Sequence, residues 1–146
     1  MKTRMEKIKF IGWFIVFYAI LLTIGLKLIG NTLIRLDISI IKSIFGNIIN
    51  YNSFIFVSEC SGVVGVSAYL SIVLALVVVK YKIDWRWVIG SIVLLSIWNI
   101  IRISIVLYSE KASFQLASFL HVTLWFVTGV IIVLLAIKSL KKKKKK

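Results

Sequence analysis

Four long runs of apolar residues constrain the fold of this chain more than any other feature. They lie at about residues 10–29, 62–79, 87–108 and 119–137. A helix of roughly 20 apolar residues crosses the core of a bilayer, where a lipid-exposed segment must satisfy its own backbone hydrogen bonds. The hydrophobic share of the 146 residues is 60%, more than a soluble domain of this size can bury. The sequence therefore predicts an all-α integral membrane protein with a bundle of four transmembrane helices.

The basic residues predict how this bundle is oriented. The net charge is +14, and fourteen of the 19 Lys and Arg fall on one side of the predicted spans. Those fourteen are Lys2, Arg4, Lys7, Lys9, Lys80, Lys82, Arg86, Lys138 and Lys141 to Lys146. Such clustering at span ends follows the positive-inside rule and is not the pattern of nucleic-acid binding. We expect a multi-pass protein of the cell membrane with both termini in the cytoplasm and no nucleic-acid partner.

The segment from residue 31 to residue 50 is predicted to lie outside, between the first two spans. Polar residues recur there at helical spacing, at Arg35, Ser39, Lys42, Ser43, Gly46 and Asn50. The opposite stripe is apolar and consists of Leu36, Ile40, Ile41, Ile44 and Ile48. This pattern predicts an amphipathic helix in the outer membrane interface, with a fifth helix packed on the bundle as the alternative. Because we find no repeat or boundary, residues 1–146 are expected to form a single membrane domain.

The only cysteine of the chain lies at the start of the second predicted span, in Ser58-Glu59-Cys60-Ser61-Gly62. A single cysteine excludes an internal disulfide and a cysteine-based metal cluster. Ser58 is a suitable helix N-cap and Glu59 a favourable acid in the first turn. Cys60 would then lie at a helix N-terminus, where the helix dipole favours a thiolate.

Two scarce ionisable residues are predicted at nearly the same membrane depth as Cys60. Counted from the cytoplasmic end of each span, Arg102 lies ~22 Å up the third, His121 ~24 Å up the fourth and Cys60 ~28 Å up the second. Each has an ordinary alternative role, as a snorkelling arginine, an interfacial histidine and a small buried hydrophobe. Together, however, they supply a nucleophile, a cation for its thiolate or an oxyanion, and a proton carrier. This chemistry needs no metal and no cofactor.

The residues Glu-Cys-Ser-Gly, followed by Asn99-Ile100-Ile101-Arg102 and then His121, resemble the exosortase/archaeosortase family. The resemblance covers Ser58 to about Thr128, and the chain resembles a short form of that family. It implies that Cys60 is the nucleophile, Arg102 the characteristic arginine and His121 the third member of the catalytic set. Glu59, Ser61, Gly62 and Asn99 are candidate supporting residues.

The family resemblance also implies an activity and its partners. Members of the family are membrane cysteine transpeptidases that cleave a C-terminal sorting signal, made of a short motif, a transmembrane helix and a basic tail. They transfer the exported protein to a surface acceptor, often a lipid. We therefore expect the active site on the extracytoplasmic side of the lipid bilayer. The alternatives are a membrane cysteine protease that only hydrolyses its substrate and a small non-catalytic membrane assembly protein.

Overall fold

The computed structural model of the protein describes residues 4–46, 62–110 and 112–140. These residues are mostly helical, and a single isolated bridge between Ile83 and Leu140 is the only strand-like pairing in this part of the chain. The helices are α1 (Arg4–Gly25), α2 (Asn31–Phe45), α3 (Val63–Val78), α4 (Trp85–Glu110) and α5 (Phe114–Lys138), and a π-helical segment, Leu26–Gly30, joins α1 to α2. The prediction of an all-α fold is confirmed for the described residues.

Three helices are long and apolar enough to cross a membrane, as expected of a membrane protein. They are the continuous helix Arg4–Ile44, α4 and α5. The predicted span 62–79 corresponds to α3, which has 16 residues. A helix of that length rises ~24 Å, less than the ~30 Å of a hydrocarbon core.

Helices α1 and α2 form one continuous helix rather than two separate segments. Gly25 and Gly30, at the two ends of the π-helical segment, both have right-handed helical backbone angles. The chain contains no proline, so nothing in this stretch removes a backbone donor and ends the helix. The predicted external segment 31–50 therefore begins as a direct extension of the first helix. Helix α2 ends before Gly46, which has φ 57°.

Helix α2 packs on the bundle through a face that shares only Ile41 with the described part of the predicted apolar stripe. Ile34 and Ile41 are buried and form a cluster with Ile103 and Leu107 of α4. The stripe members Leu36, Ile40 and Ile44 are exposed. Ile48, with the rest of residues 47–50, lies outside the described residues. This packing agrees with the alternative of a helix packed on the bundle.

The largest apolar cluster lies among α3, α4 and α5, towards the end where the chain passes from α3 to α4. Its fully buried members include Tyr69 and Val73 of α3, and α4 contributes Val88. The Tyr69 hydroxyl and the Ser139 hydroxyl are 2.6 Å apart in a buried hydrogen bond. This contact ties the end of α5 to α3. The described residues of the predicted site lie towards the opposite end of the bundle, where α3 begins.

Candidate active site

The predicted site residues divide into those that the structure describes and those that it does not. Cys60, Glu59 and Ser61 lie outside the described residues. Gly62, Asn99, Arg102 and His121 lie within them, and they come from three different helix regions: Gly62 precedes α3, Asn99 and Arg102 are in α4, and His121 is in α5.

Gly62 makes a close approach to α4 that a side chain would hinder. Its φ is 77°, in the left-handed region that side chains disfavour. A Cβ atom at this position would lie 3.1 Å from both Cβ and Cγ of Asn99. The chain thus enters α3 directly against the Asn99 side chain, and Cys60 is joined to this point by two peptide bonds.

Arg102 lies in the interior of the bundle, where 2% of its surface is exposed. Its guanidinium carbon is 4.2 Å from the centroid of the Trp125 ring on α5. An arginine over an indole face gains cation–π attraction, which is stronger when both groups are shielded from water. The charge therefore faces α5 inside the bundle and does not extend to the protein surface.

His121 is linked to Arg102 through the same tryptophan. Trp125 lies one helical turn after His121, and its Nε1–H donates a hydrogen bond of 3.2 Å to His121 Nε2. The accepting nitrogen must be unprotonated, which places the proton of the neutral imidazole on Nδ1. To take a proton at Nε2, His121 would first have to release the Trp125 hydrogen bond.

Asp37 is a site neighbour that the sequence reasoning missed. It lies on α2 with 9% of its surface exposed, and its Oδ2 accepts a hydrogen bond of 2.9 Å from Asn99 Nδ2. Its carboxylate also attracts Arg102 electrostatically. One signal was available in the sequence, because Asp37 is the only acidic residue between Lys7 and Ser58.

A cavity of about 10 Å³ lies between Gly62, Asn99, Arg102 and Trp125. That volume holds about one water molecule. Thr128 and Trp98 also line it, and the Thr128 hydroxyl accepts a hydrogen bond of 2.8 Å from the indole nitrogen of Trp98. The cavity is therefore a small space beside the Arg102 guanidinium and not a substrate pocket.

Comparisons with known proteins do not assign this arrangement to a family. A scan against protein-family models, a search of curated proteins and a search of solved structures found no match. In the described ranges, no three His, Cys, Asp or Glu side chains converge in a way that could hold a metal ion. What the site offers chemically is a buried guanidinium and a carboxylate–amide pair whose amide contacts Gly62, with a neutral imidazole linked to the guanidinium through Trp125.

Proposed function

We propose that this protein is a membrane-embedded thiol transpeptidase of the exosortase/archaeosortase type, with Cys60 as its nucleophile. One observation carries the proposal: Gly62, two residues after the only cysteine, lies against Asn99, one helical turn from the buried Arg102. A buried arginine in an apolar helix is costly unless it faces a partner or a functional site. In this proposal the partner of the Arg102 charge is the Cys60 nucleophile.

The proposed reaction uses each residue for one task. The Cys60 thiolate attacks the carbonyl carbon of the scissile peptide bond, and Arg102 stabilises the negative oxygen of the tetrahedral intermediate. His121 carries the thiol proton and returns it to the leaving amine, which departs with the membrane-anchored tail. The exported protein is then held as a Cys60 thioester. An amine or hydroxyl of a surface acceptor attacks the thioester, forms an amide or ester, and restores the thiol.

The membrane arrangement belongs to the same proposal. We propose four spans, with α3 as the short one, both termini in the cytoplasm and the Arg102 end of the bundle on the extracytoplasmic side. A substrate helix lying beside this bundle, with its basic tail inside, would present the peptide bond just above its own span. The small volume of the cavity supports attack at its rim, since a peptide does not fit within it.

Hydroxylamine capture tests the proposed activity. Neutral hydroxylamine added to membranes that contain the enzyme and its natural surface proteins should divert the thioester to a hydroxamate at the new C-terminus of the substrate. The expected result is a hydroxamate that requires Cys60 and is detected by mass spectrometry. Without hydroxylamine, an acceptor attached to the same C-terminus indicates transfer, and a free carboxylate indicates the hydrolytic alternative. Equal tail removal with Cys60→Ala would favour the non-catalytic alternative.

A further inference from the structure

We propose that Asp37 of α2 is a positioning residue for the catalytic site, acting through Asn99 on the chain that carries Cys60 and on Arg102. The inference rests on the proposed function. It makes α2 part of the active site, although the sequence of this helix resembles an interfacial segment.

The contact that supports this role is specific. Asp37 Oδ2 accepts a hydrogen bond from Asn99 Nδ2, and 2.9 Å separates the two atoms. The atoms Cβ, Cγ and Nδ2 of Asn99 lie 3.1 to 3.2 Å from the position that a Gly62 Cβ would occupy. The amide is thus held between the carboxylate and the first residue before α3. A movement of Asp37 would be transmitted to the backbone two residues from Cys60.

The burial of Asp37 carries a desolvation cost, which its two polar partners offset in part. A largely buried carboxylate loses its hydration, and hydrogen bonds or a nearby opposite charge compensate for that loss. Asn99 supplies the hydrogen bond and Arg102 the opposite charge. Asn99 and Arg102 are three residues apart, so they lie on one face of α4. Asp37 can therefore orient the amide and offset the guanidinium charge at the same time.

The charged and titratable groups around Asp37 determine what the loss of its charge would do. Arg102 comes from α4 and His121 from α5, and the described residues of α3 contribute only Tyr69, which bonds Ser139 at the opposite end. On α2 itself, Arg35 and Lys42 are exposed, as is Lys27 of the π-helical segment packed against α2, and Glu110 lies at the end of α4. Removing the Asp37 charge would leave the Arg102 charge less compensated. The Cys60 thiolate, which the proposed function pairs with Arg102, would then form more easily.

Because Cys60 is the only cysteine of the chain, a thiol reagent reports on it without any other cysteine having to be removed. The rate of Cys60 alkylation by iodoacetamide is measured against pH on the full chain in detergent, for wild type and Asp37→Asn. The Asp37→Asn variant keeps an acceptor for the Asn99 amide but loses the charge. We therefore expect the pH at which the alkylation rate is half-maximal to fall by about half a unit. The same change at Asp84, which lies between α3 and α4 at the other end of the bundle, is the matched control and should leave the midpoint unchanged.

A pair of variants separates positioning from folding. Asp37→Ala should lower tail removal from surface proteins about tenfold, because small displacements of catalytic groups are expensive. The exchanged pair Asp37→Asn with Asn99→Asp keeps one amide and one carboxylate in contact and should recover most of that loss. If the single variant and the exchanged pair were instead unfolded, the pH midpoint of Cys60 alkylation would move towards the free-thiol value of ~8.5 in both proteins.

Three results would overturn the inference: an unchanged alkylation midpoint in Asp37→Asn, wild-type tail removal in Asp37→Ala, or no recovery in the exchanged pair. These results are independent of the proposed function, which fails only if tail removal proceeds normally with Cys60→Ala. If Asp37→Ala processes its substrates normally while Cys60→Ala is inactive, the role of Asp37 is rejected and the proposed function stands.

Discussion

Arg102 has a permanent charge in the bundle interior, and its surroundings show what that charge can do. The guanidinium lies over Trp125 and near the Asp37 carboxylate, beside the Gly62 entry to α3. A planar guanidinium can stack on a ring and present several donors in a fixed geometry, and an ammonium can do neither in the same way. The shape of the group therefore matters as well as its charge.

We expect Arg102→Lys to fold and insert but to lose about a hundredfold in substrate processing, the typical effect of losing an oxyanion donor. Processing is measured as the ratio of mature to precursor surface protein, at equal enzyme levels in the membrane. Arg86→Lys is the matched control, because Arg86 is an exposed arginine at the other end of α4. Turnover close to wild type in Arg102→Lys would reduce Arg102 to a structural charge.

His121 should carry the proton in both halves of the reaction. Its replacement by Ala should slow acyl-enzyme formation and remove the part of the pH–rate profile that reflects titration of the imidazole. The control is Gln115→Ala, an exposed polar change on the same helix. A profile of unchanged shape in His121→Ala would assign the proton transfer to another group.

The sequence predicts the rare residues of the site better than their partners. Arg102 and His121 stand out because ionisable residues are scarce in apolar spans. Asp37 and Trp125 do not stand out in this way: an aspartate in a segment predicted to be external and a tryptophan in an apolar helix are both common. The Asp37–Asn99 hydrogen bond joins residues 62 positions apart, and no local pattern encodes which helix packs against which.

At the scale of the helices, the contact between α1 and α3 depends on a glycine. A Cβ at Gly25 would lie 2.7 Å from Val63 Cγ1 and 3.7 Å from Ser67 Oγ. Gly25→Ala should therefore force the two helices apart and lower the free energy of unfolding by about 1–3 kcal/mol. Thermal unfolding in detergent measures the effect.

Gly12→Ala is the matched control on the same helix, since nothing lies within 4 Å of its added Cβ. Its melting temperature should stay at or slightly above that of wild type, because alanine favours helix over glycine. Equal melting temperatures for the two variants would contradict close packing of α1 on α3 at Gly25.

The inward face of α2 could not be derived from its amphipathic pattern. Lipid tails are as apolar as a protein core, so an apolar stripe in a membrane protein does not distinguish a lipid-facing side from a packed one. The inward face consists of Ile34, Asp37 and Ile41, and the exposed face includes Leu36 and Ile44. A helix is present in this segment, as predicted. Which of its faces is buried depends on its continuous connection to α1, and the sequence does not reveal that connection.

For the whole molecule, the basic residues predict the direction of insertion. Single cysteines are placed at Asn52 and at Lys82 in a Cys60→Ser background, and intact cells are treated with a membrane-impermeant thiol reagent. Asn52→Cys should react and Lys82→Cys should react only after the cells are opened, because the fourteen clustered basic residues are expected to stay inside. Labelling of Lys82→Cys alone in intact cells would invert the proposed topology.

The central claim is that Cys60 forms a thioester with exported proteins, and the C-termini of surface proteins test it most directly. Mass spectrometry compares cells carrying wild type, Cys60→Ala and Cys60→Ser as the only enzyme of this kind. Wild-type cells should contain mature proteins without their membrane tails. Both variants should accumulate intact precursors, because alanine cannot attack a carbonyl and serine is a weaker nucleophile without further activation. Mature, tail-free protein in the Cys60→Ala cells would contradict the account.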